Sequence, residues 1–93
     1  MVRYIIRLDK VSKKHLAELY KSGKKSDIKK VETLFQELEK HPETGTGSPE
    51  RLRHQLSGFW SREINRKDRL IYEIDEVELI IKVVSAKGHY ADK

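Results

Sequence analysis

The spacing of apolar residues changes near the middle of this 93-residue chain, and that change constrains the fold more than any other feature. Between residues 12 and 41, apolar side chains recur every three or four positions, which is the spacing of one buried helix face. The residues with this spacing are Ile28, Val31, Leu34, Phe35 and Leu38. After residue 49, apolar and polar residues alternate as they do in half-buried strands. A helical half followed by a strand half predicts an α+β fold.

The helical half contains three predicted elements. Residues 2–8 alternate well enough to form a strand. A helix then begins at Ser12, a residue type that caps helix N-termini, and Gly23 stands where a glycine commonly ends a helix. A second helix begins near Ser26 and ends before Pro42, because the residue before a proline disfavours helical backbone. Together the two helices form a helical hairpin.

The segment between the halves, residues 41–49, is rich in turn-forming residues and contains no apolar side chain, so it is predicted to be a loop. Four strands are predicted after it, over residues 52–56, 59–65, 69–74 and 77–84. In the last of them Lys82 is nearly the only polar residue, which predicts burial on both faces at the centre of the sheet. Short connections between these strands require antiparallel neighbours.

The predicted α+β architecture is therefore an N-terminal strand and a two-helix hairpin packed on one face of a mainly antiparallel sheet of about five strands. The opposite sheet face should collect basic side chains, namely Arg53 or His54, Arg62 and Arg69. The chain carries a formal net charge of +5. A basic surface of this kind favours an anionic partner such as nucleic acid.

Other classes of protein are disfavoured by what the sequence lacks. It contains no cysteine, which leaves no disulfide framework and no thiolate metal site. No apolar run approaches the roughly 18 residues of a membrane span, and the first ten residues do not resemble a signal peptide. We therefore predict a single cytoplasmic domain over residues 1–93, with no cofactor, no metal site and no membrane partner.

Three blocks of sequence carry a resemblance to a known family. They are the run Gly45-Thr46-Gly47-Ser48-Pro49-Glu50-Arg51-Leu52-Arg53-His54-Gln55-Leu56-Ser57-Gly58-Phe59-Trp60-Ser61-Arg62-Glu63-Ile64, the segment Arg69-Leu70-Ile71-Tyr72, and the dipeptide His89-Tyr90. In this order they strongly resemble the YoeB/Txe branch of the RelE toxin superfamily. The resemblance implies the toxin of a type II toxin-antitoxin system, an endoribonuclease that cuts messenger RNA in the ribosomal A site.

The resemblance also implies the roles of individual residues. Glu50 would be the general base, Arg69 the residue that binds the phosphate, and His89 the general acid. Tyr90 would orient or stack the RNA. Arg53 stands where the family usually has lysine, so the positive charge is retained. The predicted RNA contacts are Arg53, His54, Arg62, Arg66 and Lys67.

The partners implied by the resemblance are a cognate antitoxin of the YefM/Phd type or a similar one, messenger RNA and the ribosome, with a homodimer as a further candidate. Two other functions stay open at this point. The first is an inactive toxin that binds its antitoxin and regulates transcription. The second is a gyrase inhibitor like the related ParE toxins, although those proteins lack the set formed by Glu50, Arg69 and the terminal His-Tyr.

Each proposed site residue also has a plain structural interpretation. Glu50 follows a proline at a loop-strand junction, where most glutamates are simply solvated. Arg69 could pair with Glu50 or Glu63 across the sheet. A histidine near a C-terminus is usually exposed. A metal-dependent nuclease is a poorer alternative, because no cluster of Asp, Glu and His has ligand spacing in the sequence.

Overall fold

A computed structural model describes residues 3–88. Its two helices are α1 (Lys10–Ser22) and α2 (Lys25–Leu38). Its strands are β1 (Ile5–Leu8), β2 (Glu50–Arg51), β3 (Phe59–Glu63), β4 (Arg69–Asp75) and β5 (Ile80–Ser85). None of the helices in this part of the chain has the length and apolar character needed to cross a membrane.

The strands form one sheet in the order β1-β5-β4-β3-β2. Strand β1 pairs with β5 in parallel, and the other three pairings are antiparallel. The mainly antiparallel sheet of five strands is therefore confirmed. The expected place of the last strand is wrong, because β4 occupies the centre of the sheet and β5 lies between β4 and β1.

The core lies between the two helices and one face of the sheet. The apolar stripe of α2 is buried there, with Val31, Leu34 and Leu38 fully shielded from solvent. On the sheet side, the α2 stripe meets a layer of strand residues that share one face, namely Leu70, Tyr72, Ile81 and Val83. This arrangement confirms the helical hairpin packed on one face, as the three- and four-residue spacing of α2 predicts.

The start of α1 differs from the sequence prediction. The N-cap is Asp9, whose Oδ1 accepts a hydrogen bond from the Ser12 backbone N–H at 2.8 Å. Ser12 lies inside the first turn and is fully buried, and its Oγ donates to the Val83 carbonyl at 2.9 Å. Aspartate and serine are equally good caps, so the sequence alone could not choose between them. The predicted end is confirmed, because Gly23 has a left-handed φ of 76°.

Two predicted strand segments are wrong. Residues 53–58 form a connection instead, with a 3₁₀ turn over His54–Leu56 and a φ of +58° at His54 that an extended strand does not allow. Strand β2 is therefore only two residues long. Residues 77–79 form a turn, because Oδ1 of Asp75 accepts the N–H groups of Val77 and Glu78. Val77 is 92% exposed in this turn, so its apolar character does not reflect a place in the sheet.

Candidate functional site

The sheet face turned away from the helices, which we call the open sheet face, is built by the alternation of side chains in β3 and β4. Since Leu70 and Tyr72 point into the core, the odd-numbered residues of β4 point the other way. Cross-strand register then places Glu50 opposite Ser61, and Ser61 opposite Ile71. Arg69, the first residue of β4, stands opposite Glu63. Three adjacent strands thus bring the predicted base and the predicted phosphate-binding residue to one face.

Glu50 and Arg69 lie close together on this face. Their side chains form an ion pair with 3.9 Å between Oε1 and Nη1. The carboxylate is well exposed, with 67% of its side chain accessible, whereas the arginine side chain is 31% accessible. Nη1 of Arg69 also lies 3.5 Å from Oγ of the buried Ser61. The long distance and the exposure make this a weak pair that costs little to open, so both groups remain available to a ligand.

The C-terminal segment reaches the same place. The Arg69 backbone N–H donates to the Gly88 carbonyl at 2.9 Å, and the Gly88 N–H donates to Oδ1 of Asp68 at 2.8 Å. Gly88 is the last residue that the structure describes. The predicted acid His89 and its neighbour Tyr90 lie outside the described residues, so their roles remain predictions.

The predicted RNA contacts fall at both ends of β3. Arg53 and His54 are exposed in the connection before Phe59, where β3 begins. Arg66 and Lys67 are exposed in the turn that follows the last residue of β3. They also line an open cleft of about 830 Å³ between that turn and the end of α1. The two pairs of residues thus lie beyond opposite ends of β3, with Arg66 and Lys67 at the cleft beside the helices.

Arg62 is not part of this face. Its side chain is completely buried on the helix side of the sheet, so the prediction that it contacts RNA is wrong. Nη1 lies 2.6 Å from Oε1 of Glu37, and Nη2 donates to the carbonyls of His41 and Thr44 at 2.8 and 2.6 Å. Nε donates to the hydroxyl of Tyr72 at 3.1 Å. The strand alternation places residue 62 beside the core residue Ile64, and this pattern could have identified it as an inward-pointing side chain.

The sequence did not indicate the role of Glu37, whose carboxylate pairs with the buried guanidinium of Arg62 and offsets the cost of burying that charge. Burial acts to raise the pKa of Glu37, but hydrogen bonds from Thr46 and from Arg62 outweigh it and hold the pKa below its ordinary value. Tyr72 completes the network by donating from its hydroxyl to the Pro42 carbonyl at 2.7 Å. The network holds the loop from residue 41 to residue 46, which leads to Glu50.

The other aromatic residue near the site has a structural role at the rim. Trp60 is partly buried and packs against the core, and the guanidinium of Arg51 lies 5.5 Å above its ring. Within residues 3–88, no group of three or more His, Cys, Asp or Glu side chains is arranged to hold a metal ion. The groups described together on the open sheet face that could act on a ligand are thus the Glu50 carboxylate, the Arg69 guanidinium and the Ser61 hydroxyl.

Comparison with known proteins finds relatives of this chain by sequence and by fold. Toxin YoeB of Escherichia coli K12 is 40% identical over 63 residues, which are 68% of this chain and 73% of that protein. A solved structure of a YoeB dimer from Staphylococcus aureus is 30% identical, covers 96% of this chain and 100% of its own, and has a TM-score of 0.79. A heterotetrameric YoeB-YefM toxin-antitoxin complex from the same organism is also 30% identical over the same shares, with a TM-score of 0.76.

The family match covers most of the chain and includes all four predicted catalytic residues. Residues 13–90 match the family described as YoeB-like toxin of bacterial type II toxin-antitoxin system. The match thus extends from α1 through Glu50 and Arg69 to the His89-Tyr90 dipeptide. From the fold, the arrangement of the open sheet face and this match, it follows that the chain belongs to the YoeB-like toxin family of bacterial type II toxin-antitoxin systems, within the RelE superfamily.

Proposed function

We propose that this toxin is an endoribonuclease that cuts messenger RNA in the ribosomal A site without a metal ion. The observation that carries the proposal is the weak, exposed pair of Glu50 and Arg69, with the Gly88 carbonyl accepting the backbone N–H of Arg69. A carboxylate can accept a proton, and a guanidinium can bind two phosphate oxygens at once. His89 follows Gly88 directly in the sequence and supplies the third group that the reaction needs.

The proposed reaction is a transesterification followed by release of the downstream RNA. Glu50 takes the proton of the 2′-hydroxyl, and the 2′-oxygen forms a bond to the adjacent phosphorus. The bond from phosphorus to the 5′-oxygen breaks as His89 donates a proton to that oxygen. Arg69 stabilises the additional negative charge on the phosphorane. The products are a 2′,3′-cyclic phosphate and a 5′-hydroxyl, and the need for a 2′-hydroxyl restricts the enzyme to RNA.

The arrangement of basic residues supports a path for the RNA strand. Arg53 and His54 lie beyond one end of β3, and Arg66 and Lys67 lie beyond the other end. The five residues of β3 span roughly 13 Å at about 3.3 Å per residue, and Glu50 and Arg69 lie between the two basic groups. RNA that follows β3 would therefore present its backbone to positive charge on both sides of the bond that is cut. Tyr90 would stack on or orient a base beside that bond.

The proposal is tested in cells by expressing the toxin without an antitoxin. We expect incorporation of labelled amino acids to stop rapidly while incorporation of labelled thymidine continues at first, because messenger RNA is the target. The matched control is the Glu50→Gln variant, which should allow both kinds of synthesis. If DNA synthesis stops first and translation continues, the toxin acts on gyrase and the ribonuclease proposal is wrong.

The antitoxin is proposed to neutralise the basic surface. The relative from S. aureus forms a complex with YefM, and the net charge of +5 on this chain favours an acidic antitoxin segment. We propose that such a segment lies on the open sheet face or displaces His89-Tyr90 from it. A homodimer, as in the S. aureus YoeB dimer, is a second proposed assembly.

The binding mode of the antitoxin can be tested by varying salt concentration. Affinity for the toxin should fall as ionic strength rises, since exposed charges are screened by salt. Isothermal titration at low and high ionic strength would measure this effect. An affinity that does not change would contradict the proposal and indicate an apolar interface on the helices.

A further inference from the structure

The backbone after β5 is held by side chains from two other elements. The Ala86 N–H donates to Nδ1 of His15 at 3.1 Å, and His15 belongs to α1. The Gly88 N–H donates to Oδ1 of Asp68 at 2.8 Å, and Asp68 belongs to the turn before β4. Neither bond is part of the sheet ladder, which ends at Ser85. The side chains of His15 and Asp68 thus hold the backbone that follows the last residue of β5.

Both hydrogen bonds show which side-chain atom is the acceptor and, for His15, which ring nitrogen carries the proton. A backbone N–H can only donate, so Nδ1 of His15 must be the acceptor and the proton of a neutral ring lies on Nε2. Ser85 Oγ also lies 3.4 Å from the same Nδ1. Asp68 receives the Gly88 N–H on one carboxylate oxygen, and its other oxygen lies 3.3 Å from Nδ2 of Asn65. Both acceptors are half-buried, which favours a defined geometry over exchange with solvent.

Gly88 is held through both of its backbone polar groups. Its N–H binds the side chain of Asp68, and its carbonyl accepts the backbone N–H of Arg69 at 2.9 Å. Gly88 has a φ of +75°, a left-handed value that residues with a Cβ rarely adopt. The chain direction at the end of the described segment is therefore set beside Arg69, at the group that would bind the phosphate.

We propose that His15 and Asp68 are positioning residues that fix the backbone of Ala86 and Gly88 beside Arg69, and that the rate of proton transfer by the proposed acid His89, the next residue in the sequence, depends on this. The proposal rests on the proposed ribonuclease function. Neither side chain touches RNA in this scheme. Each acts through the chain it holds, because consecutive Cα atoms are about 3.8 Å apart and a shift at Gly88 moves the next residue with it.

The test compares variants that remove the acceptor with variants that retain it. Asp68→Ala and His15→Ala remove the acceptors. Asp68→Asn and His15→Asn retain an oxygen that can occupy the position of Oδ1 or Nδ1. We expect the alanine variants to slow single-turnover cleavage at saturating RNA by about 10- to 100-fold with little change in RNA affinity, since small displacements of a catalytic group have effects of this size. The asparagine variants should recover most of the rate.

The matched control is Asp75→Ala. Asp75 also accepts backbone N–H groups, but it does so at the opposite end of β4, far along the strand from Arg69. It should cleave at the wild-type rate. Circular dichroism melting of each variant would identify any that fails to fold, and the asparagine variants then supply the comparison.

Two measurements separate this inference from the proposed function. In the His89→Gln background, Asp68→Ala should cause almost no further loss, because both changes act on the same proton transfer. A full additional 10-fold loss in that background would overturn the inference while leaving the ribonuclease intact. Amide hydrogen exchange needs no activity: Gly88 in Asp68→Ala and Ala86 in His15→Ala should exchange about 5-fold faster or more, as expected for loss of one hydrogen bond. Unchanged exchange would also overturn it.

Discussion

Replacing Arg62 with methionine is expected to lower the free energy of unfolding by about 3–5 kcal/mol, the range for breaking a buried ion pair by removing one partner. The change removes the ion pair with Glu37 and the hydrogen bonds to the carbonyls of His41 and Thr44. It leaves the His41 carbonyl without the hydrogen bond that Nη2 donates, and among the described residues Glu37 then keeps only the hydrogen bonds from Thr46. Urea unfolding of the wild type and the variant measures the difference.

Two further variants define the cause of that loss. Arg66→Met makes the same substitution at an exposed turn residue and should change stability by less than about 0.5 kcal/mol. The double variant Arg62→Met/Glu37→Gln should be less destabilised than the sum of its single changes, since both charges are then removed. A loss below about 1 kcal/mol for Arg62→Met would contradict the role assigned to this network.

The same network makes stability depend on acid pH. The pKa of Glu37 is lower in the folded protein than its ordinary value of about 4.3, so the unfolded chain binds the proton more readily. The stabilising contribution is complete above the unfolded pKa and is lost as pH falls through the folded pKa. Because Arg62 is one of the groups that lower this pKa, the Arg62→Met variant should lose less stability over that acid range than the wild type does.

The second large effect is expected at the open sheet face. Glu50→Gln and His89→Gln should each slow single-turnover cleavage by about 10²-fold or more while RNA binding is retained, as is typical when a proton-transfer group is removed. Arg69→Ala should lose both rate and RNA affinity, because its charge acts on the bound phosphate and on the transition state. Quenched single-turnover reactions with a labelled RNA measure the cleavage rate, and the dependence of that rate on toxin concentration measures the RNA affinity.

Glu73→Gln is the matched control for the loss of a carboxylate. Glu73 lies on the same side of β4 as Arg69, at the position opposite Phe59. It should cleave RNA at the wild-type rate. Wild-type cleavage by both Glu50→Gln and His89→Gln would mean that these residues are structural.

The helical half of the fold follows from local pattern. The apolar spacing of α2 and the glycine after α1 are each determined by a few adjacent residues, and the structure agrees with both. The wrong predictions fall where one pattern of apolar residues fits both a strand and a turn. Alternation at residues 52–56 suits a strand, but the chain turns at His54, and only the tertiary position of that segment decides between the two.

One part of the candidate site, the closeness of Glu50 and Arg69, could be predicted from the sequence. The pairing of Glu50 with Arg69 depends on β2, β3 and β4 being adjacent, and short connections between strands already imply this. Arg62 was misplaced because a fully buried arginine is rare unless it is paired. Its partner Glu37 is 25 residues away in sequence. Long-range pairs of this kind, like those of His15 with Ala86 and of Asp68 with Gly88, carry no signal in local spacing.

The most direct test of the central claim is the chemistry of the RNA ends left by the purified toxin. Messenger RNA bound to ribosomes, and the same RNA alone in EDTA, would be incubated with toxin and the fragments recovered. Attack by the 2′-hydroxyl predicts a downstream fragment that polynucleotide kinase labels without prior phosphatase treatment, and an upstream fragment that ends in a 2′,3′-cyclic phosphate. A downstream fragment that carries a 5′-phosphate would contradict the roles assigned to Glu50 and His89.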